Sequence, residues 1–143
     1  MAHKKGITSG TPVLDFKHLK LKGTPNEYLV APDDLCQDAV PHRPADIYDV
    51  PSTELRDAIM HVVSRQSRVE LSGMNEEAKA FEFVHYSAVL NFKDFISVRV
   101  LPHGHTQSTI AIFSRSKTGY YDFGVNRKRV EAWLEELEGE IIR

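Results

Sequence analysis

Between Phe95 and Leu101 the chain alternates strictly. Ile96, Val98 and Val100 fall on one parity, and Ser97 and Arg99 on the other. Gln107–Ser114 repeats the pattern with Ile110 and Ile112. Period two marks extended backbone, because successive side chains leave a strand on opposite faces. A third segment, Phe81–Val89, is rich in aromatic and β-branched residues and reads as another strand. Pro102-His103-Gly104-His105 joins the two alternating segments as a hairpin loop. Strands with one polar parity imply an antiparallel sheet covered on one side. The rest of the chain must supply that cover.

Two helices can do so. Ser52, behind Pro51, has the chemistry of an N-cap, and Leu55, Ala58, Ile59, Val62 and Val63 follow at helical spacing. This predicts a helix over Thr53–Arg65. Val130, Trp133, Leu134, Leu137 and Ile141 form the apolar stripe of a C-terminal helix. Asn126 fits its N-cap, and Val125 and Val130 fit a hydrophobic staple. Arg68–Leu71 reads as a short strand, with a turn at Gly73 and Asn75. Residues 1–50 carry five prolines and little periodicity. They read as an extended arm with turns at Thr24-Pro25-Asn26, Pro32-Asp33-Asp34 and His42-Arg43-Pro44. The arm packs over the core through Tyr28, Leu29, Val30 and Leu35, and a disordered tail covers roughly the first ten residues. The expected class is α+β: an antiparallel sheet of about four strands with two helices on one face and an extended N-terminal arm. Residues 1–143 form one domain in this reading, with the core in 51–143.

Composition narrows the function. The chain is 41% hydrophobic and 27% charged, ordinary for a soluble protein. Net charge is −2, so no global basic field draws it to nucleic acid, and any affinity for anions must be local. Cys36 is the single cysteine, which excludes an internal disulfide and a multi-thiolate zinc site. The start, MAHKKGITSGTPVLDF, has no apolar stretch behind its cations, and no run approaches the ~18 apolar residues of a membrane span. A cytoplasmic location without a membrane span is expected.

The segment 114–130, SRSKTGYYDFGVNRKRV, concentrates the chemistry. Arg127, Lys128 and Arg129 load the first turn of the last helix, while Glu135, Glu136, Glu138 and Glu140 crowd its other end. A helix dipole favours the reverse, at roughly 0.3–1 kcal/mol per exposed charge. A nearby carboxylate or a bound anion must offset the mismatch. Gly119 and Gly124 punctuate the loop and suit either positive φ or close backbone approach.

This segment resembles the signature of the domain of unknown function 1499 family, an uncharacterised bacterial and plastid family. Ser114, Ser116, Gly119, Asp122, Gly124, Asn126, Arg127, Arg129 and Val130 match its pattern. Lys117 replaces an arginine, and Tyr121 stands where serine is usual. The stretch Pro25–Val30, ending at Cys36, is similar to the family's N-terminal segment. The resemblance implies a fold and a shared motif, and no activity.

Three readings of the segment follow. In the first, Arg115, Lys117, Asn126, Arg127 and Arg129 gather at a helix N-terminus and bind an anionic small molecule or an acidic protein surface. Ser114, Ser116, Gly119, Asp122 and Gly124 then shape the loop. In the second, a small enzyme uses the same cluster as an electrophilic clamp, with Asp122 as acid–base residue. In the third, Asp122 pairs with the arginines, Arg129 first among them, as a buried polar lock. Arg127 is four residues before Glu131, which suits an exposed helical pair. The non-enzymatic binding module is the preferred reading, with no cofactor and no metal.

Other motifs carry less. His103 and His105 need a third ligand from His85, His42 or an acid to make a metal site. Cys36 with His42 is a nucleophile pair by sequence proximity alone. Asp122-Phe123-Gly124 echoes a kinase triplet without the accompanying elements. Tyr120, Tyr121 and Phe123 beside cations could stack bases, but the net charge argues against nucleic acid.

Overall fold

The structure, a computed structural model, describes residues 8–142. The strands are β1 (Thr8–Gly10), β2 (Glu27–Ala31), β3 (Arg43–Pro44), β4 (Ile47–Tyr48), β5 (Val69–Asn75), β6 (Ala80–Tyr86), β7 (Lys93–His103) and β8 (Gln107–Ser116). Helix α1 (Ser52–Ser64) stands between β4 and β5, and α2 (Val125–Ile142) follows β8. The class is α+β.

One mixed sheet of eight strands runs β1-β5-β6-β7-β8-β2-β3, with β4 also paired to β8. This corrects the expected four antiparallel strands. The β2–β3 pair is parallel and the other pairs are antiparallel. The extra strands come from the arm. Their two to five residues are too short to show a period, and apart from the β2–β3 pair their partners lie far along the chain, so local pattern cannot reveal them. Tyr28, Leu29 and Val30 are therefore sheet residues, pairing with Ser114, Phe113 and Ile112, and are buried within the cores on the two faces. Residues 8–10 pair with β5, while the rest of the expected disordered tail lies outside the described residues. Gly73 and Asn75 belong to β5, and the turn falls later, where Lys79 takes φ 54°.

Parity decides the two faces of the sheet. Phe81 and Phe83 of β6, Ile96, Val98 and Val100 of β7, and Ile110 and Ile112 of β8 share one core with α1 and α2. Leu55, Ile59, Val62, Trp133 and Leu137 fill it from the helices, so both helices cover the same face as expected. The opposite face is covered too. Phe16, Leu19 and Leu35 of the arm pack on Leu29, Ala31, Ala111 and Phe113. Arg115 lies on this second side, donating to Ser97 Oγ at 2.7 Å and stacking over Phe113. Glu82 accepts there from Ser97 Oγ at 2.6 Å and Leu14 N at 2.8 Å.

Helix caps differ from expectation. The N-cap of α1 is Pro51, with no side-chain cap bond, and Ser52 is already helical. Among the described residues no helix is long and apolar enough to cross a membrane.

Candidate functional site

The helix-facing rows of three strands turn polar at the same end of the sheet. In β6 the row Phe81, Phe83 continues to His85. In β7 the row Val100, Val98, Ile96 continues to Asp94. In β8 the row Ile110, Ile112 continues to Ser114 and Ser116. Register places His85 beside Asp94 and Asp94 beside Ser116, a polar ladder across three strands. The first turns of α2 lie over it.

Arg129 is the tie between helix and ladder. Its Nη2 donates to Asp94 Oδ2 at 2.9 Å and to His85 Nδ1 at 3.3 Å. Its Nη1 donates to Ser114 Oγ at 3.0 Å and Asn126 Oδ1 at 2.8 Å. Burial first, and then the Arg129 charge, push the His85 imidazole below its ordinary value of 6.5. A neutral ring is what the guanidinium requires as acceptor.

Asn126 is the hub of the network and is fully buried. Its Oδ1 also accepts from Ser114 Oγ at 2.6 Å. Its Nδ2 shares its protons among Asp122 Oδ2 at 2.7 Å, Ser116 Oγ at 3.0 Å and Asn26 O at 3.2 Å. It is therefore not the N-cap. The helix begins one residue earlier, at Val125, which is partly exposed and takes no part as a staple.

Capping belongs to Asp122. Its Oδ1 accepts from Gly124 N at 2.8 Å and its Oδ2 from Asn126 N at 3.0 Å. Desolvation raises the Asp122 carboxyl, but the bonds from Asn126 and Gly124 outweigh it and hold the group below 3.8. This carboxylate is the offset that the reversed helix charges demand, and it occupies the amides an external anion would use. At the far end, Arg65, the C-cap of α1, pairs with Glu140 at 2.8 Å and Glu136 at 3.3 Å, balancing the acids there. Gly119 and Gly124 adopt φ of 85° and 78°, as the loop requires.

The structure thus divides the proposed cluster. Asn126 and Arg129 are committed to the network. Arg115 is on the other face of the sheet, one residue out of parity with Ser114. Lys117, Arg127 and Lys128 are exposed at the loop–helix junction, and among the described residues none of them forms an ion pair. Arg127 lies 6.0 Å from the Tyr28 ring. Glu131 does not pair with it, because it accepts from Arg43 at 2.6 Å and Tyr28 Oη at 2.7 Å. Arg129 pairs with Asp94 and not with Asp122. Beside the ladder lies a cleft of about 350 Å³, bounded by His85, Phe92, Asp94, Ser116, Tyr121 and Asp122.

Sequence reasoning missed Asp94 and Asn26. Asp94 was visible as the next step of the Ile96–Val98–Val100 parity. Asn26 is buried and donates from Nδ2 to Gly119 O at 2.8 Å, clamping the loop from the arm.

A family model described as protein of unknown function (DUF1499) matches residues 21–137. The chain belongs to the DUF1499 family. No curated protein matches it. Among solved structures, the di-domain ARO/CYC BexL from the BE-7585A biosynthetic pathway is similar at 11% sequence identity and a TM-score of 0.41. That likeness covers 68% of this DUF1499 chain and 42% of the other, so the chain spans less than half of that protein's length.

The remaining motifs resolve separately in this DUF1499 chain. His42 Nδ1 accepts from Leu29 N at 2.9 Å and its ring stacks on Tyr28, so it is not poised on Cys36. Burial pushes the Cys36 thiol up, away from thiolate reactivity. His103 and His105 sit at the β7–β8 hairpin, at the other end of the sheet from His85. Among the described residues no three His, Cys, Asp or Glu side chains converge.

Proposed function

We infer that this DUF1499 chain is a non-enzymatic binding or accessory module, engaging an anionic ligand or an acidic surface through Lys117, Arg127 and Lys128. One observation carries the reading: these three cations are exposed at the loop–helix junction and lack ion-pair partners among the described residues. The Asp122–Asn126–Ser114–Arg129–Asp94 network serves as the lock that holds that loop to the sheet. An acid–base role for Asp122 would want a carboxylate open beside Arg127 or Arg129. Both of its oxygens are instead engaged by Gly124 and Asn126.

The test is thermal. Phosphate, sulfate and polyglutamate, each in excess, should raise the melting temperature by mass action on the folded state. The rise should vanish in a Lys117→Ala, Arg127→Ala, Lys128→Ala variant. A melting temperature unmoved by all three anions would sink the reading.

A further inference from the structure

Two loops close the same end of the sheet. Residues 87–92 connect β6 to β7, and residues 117–124 connect β8 to α2. Their bases adjoin, because Lys117 N donates to Lys93 O at 3.0 Å, and Ser87 N closes the first loop on itself by donating to Phe92 O at 2.8 Å. Both present large apolar side chains to solvent. Val89 is 88% exposed and Phe123 78%, and Leu90, Phe92, Tyr120 and Tyr121 are all more than half exposed. Single exposed apolar residues are ordinary, whereas six on two adjoining loops mark an interaction surface.

The charges around this surface have one sign. Lys93, Lys117, Arg127 and Lys128 are exposed. The nearby acids are used internally, Asp94 by Arg129 and Asp122 by the α2 amides. Apolar and aromatic loop tips with exposed cations at the bases of the same loops are what a bilayer interface accepts, with rings at the headgroup level and cations near lipid phosphates. A protein groove would have to match the shape of two separate loop tips. A fluid headgroup layer makes no such demand. The net charge of −2 does not oppose this, because at physiological salt charges act over about one Debye length, roughly 8 Å.

We propose that this end of the molecule docks peripherally on an anionic lipid bilayer, with Leu90, Phe92 and Phe123 entering the headgroup layer and Lys117, Arg127 and Lys128 facing its phosphates. The proposal rests on the cation reading above and adds the apolar half of the surface. Each cation near an anionic surface strengthens partition by about fivefold.

Flotation with phosphatidylcholine vesicles, with and without phosphatidylglycerol, tests it. The wild type should float with the anionic vesicles only, and added salt should release it. Leu90→Ser, Phe92→Ser, Phe123→Ser together should lower anionic-vesicle partition at least about tenfold while leaving the phosphate-induced thermal shift in place. The cation variant should lose both. No flotation with anionic vesicles, alongside a retained phosphate shift, would overturn the docking proposal and leave the binding module standing. Flotation undiminished by the serine substitutions would overturn it as well. So would concentration-dependent dimerisation that those substitutions abolish in a protein that does not float, since the patch would then belong to a second copy.

Discussion

Arg129 of α2 and Asp94 of β7 meet at 2.9 Å with only 9% and 15% of their side chains exposed. Removing one partner of a buried pair strands the other charge, which costs about 3–5 kcal/mol. We expect Arg129→Ala to lower the urea midpoint accordingly. Asp94→Asn, Arg129→Met should recover part of that loss, since replacing both charges avoids the stranded one. A single substitution within about 0.5 kcal/mol of wild type would show the pair to be solvated and incidental.

Asp122 gives the chain an acid limit. Its folded value lies below the ordinary 3.8. Its contribution is therefore complete above that pH and lost as pH falls through the folded value. Asp122→Ala removes the cap and should cost about 1 kcal/mol at neutral pH. The difference between variant and wild type should shrink on acidification below 3.8. Parallel pH–stability curves would contradict the capping role.

Glu82 acts in the opposite sense. Burial raises its carboxyl above 4.5, against the bonds from Ser97 and Leu14 and the Arg115 charge. The folded state therefore holds this proton more tightly than the unfolded chain. Stability should fall as pH rises from 4.5 through the raised folded value, and that decline should flatten in Glu82→Gln. Denaturant midpoints measured across this window check the slope.

Leu137 is fully buried between α2 and the strand face that carries Ile96, Val98, Ile110 and Ile112. Leu137→Ala should cost about 2–5 kcal/mol, depending on how far the site collapses. Calorimetric melting should show the loss directly. A shift of less than about 2 °C would mean that the core refills the space.

Parity and helical spacing were legible because they are local. The Val130, Trp133, Leu134 and Leu137 stripe and the Ile96–Val100 alternation each state which side is buried, whatever the partner. They fixed the two helices, the central strands and the shared face. Caps were less legible. Ser52 and Asn126 have capping chemistry, yet the chain enters helix one residue earlier at the first and two at the second. At Asn126 the amide bonds Ser114 and Ser116 in the sheet and Asn26 in the arm, partners that no local signal contains.

What the sequence by itself determined is the family, the α+β class, the helix-covered face and the need for a carboxylate or an anion at the reversed start of α2. Tertiary structure alone decided the eight-strand mixed sheet, because β2, β3 and β4 are too short to announce themselves and pair over long separations. It also decided which cations enter the buried network and which stay exposed. Arg115 and Arg129 look alike in sequence. One residue of strand parity sends Arg115 to the second core, and an α2 turn aims Arg129 at Asp94. Side-chain direction in three dimensions sorts such residues, and a linear motif records only their order.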